Sequence, residues 1–484
     1  MKTTILAALA AALASAQAAE RPQRPALDPT IRADELSAHV HFLASDELRG
    51  RDTGSPELNA AARYLADVLR RSGLEPAGDD GGWLQAVPLV RSVREAAPEL
   101  EVSAADGSAA ACAYGLDFTM VGGEGRAAGL RVLTVAAGED VPERADPELA
   151  LFLATRSSDA RNWLEAAGFP LGRGFGAIVY RGTARPRERE PVIGRERPRP
   201  APREGAAPEP PQVRVNGALL ERFDAGEVRA LSVATHVRTE RVETCNVVGR
   251  IAGAGTAERP ELAGEAVVFS AHYDHLGLRV APQDASEEEL SALDLVFNGA
   301  DDDASGTACV LELAHAFAAG PRSARTLIFL LVTGEERGLL GTRHYLSRPV
   351  VPLERTVCNL NYEMIGRPDE ESGGAGRMWL TGHERSNLFE AVLAAGIPIS
   401  PDTRPEQRFF QRSDNYAFAL AGVVAQTFST YNMHGDYHTV RDEADALDYA
   451  HMEACVQAAY QVARLVSDGR LDPAWLEGMA PAGR

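Results

Sequence analysis

The chain has 484 residues, 45% hydrophobic and 24% charged, a length that calls for a large domain with an insertion or for two domains. A formal net charge of −20 argues against nucleic acid as a partner. The five cysteines contain no CxxC pair, so thiolate metal chemistry has no support, and their odd number leaves at least one unpaired within the chain.

The chain opens with "MKTTILAALAAALASAQAAE", one basic residue, a short Ala/Leu run and small residues at AxA spacing. That pattern predicts a secretory signal over 1–19, too short to span a bilayer. The mature protein is expected to be exported, to the periplasm or beyond, with no stable membrane insertion. Residues 33–73 predict two helices around a turn, because apolar residues recur at helical spacing, Gly50 and Gly54 break the pattern and Gly73 ends it. From 83 to about 103 the pattern is strand-like.

The domain plan expected from these shifts is a first part of the main domain over 25–110, an insert over 111–240 and the rest of the main domain over 241–470. Within the insert, "ALFLAT", "FGAIVY" and "LSVATHV" predict strands, and "SSDARNWLEAAG" predicts a helix. Residues 184–211 are rich in Pro, Arg and Glu and nearly free of aliphatic side chains, the composition of an exposed loop.

Beyond 243 the chain becomes regular. "AVVFSA" (266–271), "TLIFLLV" (326–332), "TVCNLNY" (356–362) and "GVVAQTF" (422–428) are apolar runs of strand length, with helical stretches such as 306–318 between them. The alternation predicts an α/β domain whose sheet is mostly parallel and flanked by helices. In such sheets, sites form outside the carboxyl ends of the strands.

Chemistry gathers at those ends. His272, Asp274 and His275 follow the first run, Glu335 and Glu336 the second, Glu363 the third, and His434, Asp436, His438 and Asp442 the fourth. The triplet Asp301–Asp302–Asp303 precedes the helix at 306. Singly, each cluster reads as a loop residue or a helix cap. Together they read as a cation site, since adjacent carboxylates are costly alone and favoured around a metal. Two imidazoles with three carboxylates suit zinc, and one carboxylate of the triplet can bridge two ions.

In order, "HYDHLG", "NGADDDASGT", "GEERGLLG", "NYEMIGR", "RSDNYAF" and "DYHT" resemble the motifs of secreted co-catalytic zinc exopeptidases. That group includes bacterial leucyl-type aminopeptidases and, more distantly, glutamate carboxypeptidase II and glutaminyl cyclase. "FLASDELRGRDTGSPELNAAARYLADVLRRSGLEP" is similar to the group's N-terminal helical segment, so the likeness covers about 33–90 and 243–465. The resemblance implies the zinc-exopeptidase fold, two Zn2+ ions and peptide substrates. It implies one metal on His272 and Glu363, a second on Glu336 and His438, and Asp302 between them. Glu335 falls at the general base, Asp274 at a carboxylate that orients the His272 ring, and Asp414 and Asp442 at further supporting positions. Three departures stand out. Glu363 replaces the more common Asp, Asn415 replaces a His, and Phe410 occupies the place of a tyrosine that can steady an oxyanion. The insert resembles a protease-associated domain. Removal of N-terminal residues is the expected activity, with glutaminyl cyclase-like acyl transfer and carboxypeptidase action as alternatives. A non-catalytic binding ectodomain fits poorly, because all five ligand positions and the base carry competent side chains.

Overall fold

The computed structural model describes residues 23–481 except 136–141, 143, 157–163, 167, 170–171, 184–193, 196–197, 203–208, 281–285, 287 and 289–291. The predicted signal, most of the predicted helix at 157–168 and much of the 184–211 loop therefore lie outside the described residues. Two compact units result, one from Met1–Val87 with Glu243–Arg484 and the other from Pro88–Val242.

The larger unit is built on a nine-stranded sheet. In chain order its strands are β1 (Glu75–Pro76), β2 (Leu84–Ala86), β3 (Cys245–Ile251), β4 (Ala266–His272), β5 (Thr326–Val332), β6 (Thr356–Tyr362), β7 (Met378–Leu380), β8 (Ile399–Pro401) and β9 (Val424–Ser429). They lie in the order β1-β3-β5-β4-β6-β9-β7-β8, with β2 also on β3. The centre, β5-β4-β6-β9, is parallel, and β3 and β7 flank it antiparallel. The sheet is thus the mixed, mostly parallel α/β sheet expected from the sequence.

Every residue of β4 and β5 is buried, which explains why these strands read as continuous apolar runs rather than alternating ones. Alternate side chains serve two cores. Val267, Phe269 and Ala271 of β4 join Leu327, Phe329 and Leu331 of β5 on one face, with helices α1 (Ala33–Leu43), α2 (Pro56–Arg71), α3 (Gly306–Ala319) and α7 (Tyr449–Ser467). Val268, Ile328 and Leu330 face the other way, toward Tyr345 of α4 (Leu340–Ser347) and Phe418 of α6 (Asn415–Leu420), while α5 (Leu388–Ala394) packs its Leu388 and Val392 on the first face. Helix α2 starts where predicted, with the Ser55 hydroxyl accepting from Leu58 N–H and Pro56 at the first helical position. Cys309 and Cys358 are fully buried, and all five cysteines are free thiols. Among the described residues no helix is long and apolar enough to cross a membrane.

The smaller unit holds an eight-stranded sheet and a four-stranded sheet. Two of the predicted strands appear at Leu149–Arg156 and Ala177–Arg181. The third, "LSVATHV", divides between Val228–Ala234 in one sheet and Val237–Val242 in the other. Residues 89–104, set by the sequence reading in the main domain, pair here instead. Glu99–Ala104 bonds to Val228–Ala234 and Leu89–Arg94 to Val237–Val242, ladders that draw the start of this unit back to Pro88.

Candidate metal centre

Strand β4 ends on His272, and its ring is set by the loop that follows. Nδ1 lies 3.1 Å from the main-chain oxygen of Asp274, which leaves Nε2 as the free lone pair, 3.2 Å from Asp302 Oδ1. The Asp274 carboxylate was expected to do this orienting. It stands 3.9 Å from Nδ1 and instead accepts from the Thr53 hydroxyl (2.9 Å) and the Glu335 N–H (3.1 Å).

The three consecutive aspartates are all buried and do three different things. Asp301 accepts from the Gly366 N–H at 2.7 Å and meets His434 Nε2 at 3.2 Å. Asp303 accepts from the N–H groups of Gly306, Met364 and His272, joining the start of α3 to the ends of β6 and β4. Both flanking carboxylates therefore hold the backbone. Only Asp302 faces the donors on both sides, Oδ1 toward His272 and Oδ2 at 3.0 Å from His438 Nε2. Asp442, predicted as a supporting residue, holds this turn by accepting from the N–H groups of Asp301 and Asp302, each at 3.0 Å.

The loop after β5 supplies Glu335 and Glu336. Glu336 Oε1 is 3.3 Å from His438 Nε2 and 3.0 Å from His275 Nδ1. His272, Asp302 and Glu363 present ligand atoms within 4.8 Å of one another, as do His275, Asp302 and Glu336. The six expected residues, Glu335 and the five ligand candidates, thus converge at the carboxyl ends of β4, β5, β6 and β9. His275 is an addition that sequence reasoning named but did not assign. Its signal was the second histidine of "HYDH".

The donor set fits a divalent metal. His272 Nε2, His275 Nδ1, Glu336 Oε1 and Glu363 Oε2 are buried without a well-formed hydrogen bond, and the first three approach only other members of the cluster, a costly arrangement unless a cation receives those lone pairs. Protonation shows the same demand. Burial favours a neutral His438 ring, yet its contacts with Asp302 and Glu336 hold its pKa up at about 10. Burial, with Asp302 and Asp414 nearby, pushes Glu363 up to about 7. Glu335 is raised well above its ordinary range by burial, Glu363, Asp414 and Glu336. The shifts of His438, Glu363 and Glu335 all favour the protonated form, the bias that a nearby cation opposes.

A pocket opens on the site, lined by Asp302, Glu335, Glu363 and His438, with Met364, Trp379, Phe409, Tyr431 and Tyr437 among its walls. Phe409 packs against Trp379 at 5.1 Å, whereas Phe410 turns away into the core against Tyr416 and Trp475. Asn415, the departure from histidine, ties the Phe410 carbonyl to the Thr427 hydroxyl of β9. Asp414 accepts from the Thr342 hydroxyl, leaves Oδ2 unpartnered, and is raised to about 6 by burial against the pull of His272.

A family model for Peptidase family M28 matches residues 246–463, which contain every ligand candidate above. Among curated proteins, a vacuolar membrane protease of Lachancea thermotolerans is 26% identical over 244 residues, covering 49% of this chain and 22% of that protein. Aminopeptidase YwaD of Bacillus subtilis is 29% identical over 153 residues, covering 30% of this chain and 33% of that protein. The chain therefore spans a third or less of the length of these relatives. Among solved structures, an aminopeptidase from Aneurinibacillus sp. strain AM-1 superposes with a TM-score of 0.50 at 17% identity, covering 94% of this chain and 97% of that one, a likeness of fold.

Proposed function

We propose, from the match of residues 246–463 to peptidase family M28, that the chain is a two-zinc aminopeptidase that removes N-terminal residues from peptides. The observation that carries this reading is Asp302, a single carboxylate reaching an imidazole on each side, with Glu335 beside the shared centre.

His272, Asp302 and Glu363 would hold one ion, and Asp302, Glu336 and His438 the other. His438 is preferred to His275 because its Nε2 reaches both Asp302 and Glu336 within 3.3 Å, while His275 Nδ1 is 3.9 Å from Asp302. His275 then braces Glu336 from behind. Zinc in such a site acidifies a bound water and polarises the scissile carbonyl. Glu335 takes the proton of the attacking water on its carboxylate and returns it to the leaving amine. Its main-chain N–H is tied to Asp274, which fixes where that carboxylate starts. The aromatic wall of Trp379, Phe409 and Tyr431 shields the reacting groups from bulk water and suits an apolar N-terminal side chain.

The test is mass spectrometry of a defined peptide mixture, with free and acetylated N-termini, incubated with the zinc-loaded protein. Stepwise shortening of the free N-termini alone supports the proposal. Trimming from the carboxyl end, ammonia loss from N-terminal Gln, or no change in protein holding two zinc ions overturns it.

A further inference from the structure

The segment "RGRDTG", residues 49–54, contributes no ligand candidate, yet it touches every loop that carries one around β4 and β5. Arg51 is fully buried. Its Nε donates to the Tyr273 carbonyl at 2.8 Å, Nη1 to the carbonyls of Leu43 and of Asn298 (2.8 Å), and Nη2 to that of Gly299 at 3.0 Å. One guanidinium therefore ties the His272–His275 loop to the chain entering the aspartate triplet. The Arg51 carbonyl accepts from the His275 N–H at 3.1 Å. Thr53, also fully buried, donates to Asp274 Oδ2, whose other oxygen holds the Glu335 N–H. Asp52 accepts from Arg337 Nη2 at 2.5 Å, on the loop of Glu335 and Glu336.

The backbone is forced to make these contacts. Arg49, Gly50 and Arg51 have φ of 45°, 69° and 47°, three consecutive left-handed residues of which two carry side chains. Such a run is costly and persists only where surrounding contacts over-determine it. A Cβ on Gly50 would stand 2.3 Å from the Gly277 carbonyl oxygen and 2.6 Å from that of Phe297, so the turn is pressed against backbone on both sides.

We propose that Arg51, Asp52 and Thr53 form a positioning brace that sets the metal ligands and the base relative to one another, through contacts with the His272–His275 loop, the chain entering the aspartate triplet and the Glu335–Arg337 loop. The brace rests on the dizinc reading above, but two of its consequences can be measured apart from peptide cleavage. Thr53 fixes Glu335 through Asp274, so its hydroxyl governs the proton-transfer geometry. Asp52 restrains the Glu335–Glu336 loop through Arg337, so its carboxylate governs metal retention. Arg51 serves the whole frame and is the residue whose loss most endangers folding, so the test uses the other two.

Thr53→Val keeps the methyl group and removes the donor, while Thr53→Ser restores it. The expected result for Thr53→Val is a kcat lower by about tenfold or more, with KM within about twofold and full zinc content, and recovery in Thr53→Ser. Wild-type kcat in Thr53→Val, or a Thr53→Ser variant as impaired as Thr53→Val, overturns the role of Thr53. For Asp52, zinc release to a chelator is timed in the intact protein. Asp52→Ala and Arg337→Ala should each release zinc about tenfold faster, with the double variant no faster than either single one. Release at the wild-type rate, or additive effects, overturns the role of Asp52. If wild-type protein cleaves no peptide, the proposed activity fails while the zinc-release arm still decides the brace.

Discussion

Replacing Glu335 by Gln separates catalysis from stability in opposite directions. The substitution preserves shape and removes the carboxylate proposed to move the proton. General-base loss lowers kcat by about 10²–10⁴-fold, or about 3–5 kcal/mol of transition-state stabilisation. Stability should move the other way in metal-free protein. Glu335 sits with Glu363, Asp414 and Glu336, and burial together with those carboxylates raises it well above its ordinary range. An acid whose folded pKa is raised adds no penalty below its unfolded pKa and destabilises increasingly as pH rises above that value. The neighbouring Glu363, raised from 4.5 to about 7 in the same surroundings, alone corresponds to about 3 kcal/mol once ionised, and Glu335 shifts in the same direction. Metal-free Glu335→Gln should therefore melt several degrees above metal-free wild type at pH 8 and level with it near pH 4, while its zinc-loaded form holds full metal. Steady-state kinetics, zinc content and thermal melts at both pH values check this. Near-normal turnover, or a metal-free variant less stable than wild type at pH 8, would refute the reasoning.

Asp302→Asn should empty both metal positions, because one carboxylate serves the two donor sets, whereas His438→Ala should leave the His272–Glu363 position filled; metal analysis distinguishes them. Metal-free wild type should lose stability as pH rises from about 4 to 7, since burial raises Glu363 to about 7 and Asp414 and Asp442 to about 6, and zinc should flatten that slope in urea titrations. Phe409→Ala should reduce kcat/KM for substrates with N-terminal Leu or Phe by about tenfold and for N-terminal Ala by much less, because it removes one aromatic wall of the pocket. Comparable losses on all substrates would move Phe409 out of side-chain recognition.

The four parallel strands were legible because β4, β5, β6 and β9 are almost wholly buried and so appear as largely apolar runs of strand length, which also points to the residues just after them. His272, Glu335, Glu336 and Glu363 were found that way. The resemblance singled out Asp302 within "DDD", but what Asp301 and Asp303 do was not legible, since it depends on which main-chain N–H groups each carboxylate meets. For the same reason Asp274 was assigned to the His272 ring when its carboxylate serves Thr53 and Glu335 instead. Arg51 and Thr53 were invisible: an arginine and a threonine in a glycine-containing turn look solvated until burial is known. The start of the smaller unit was placed too late because a short strand carries no mark of its partner: Leu89–Arg94 pairs with Val237–Val242 and Glu99–Ala104 with Val228–Ala234, both far along the chain.

The most direct test of the central claim is anomalous diffraction at the zinc edge from crystals of the zinc-loaded protein. Two peaks flanking Asp302 are expected, one within ligand distance of His272 and Glu363 and the other of Glu336 and His438. A single peak, or a pair that does not share Asp302, would contradict it.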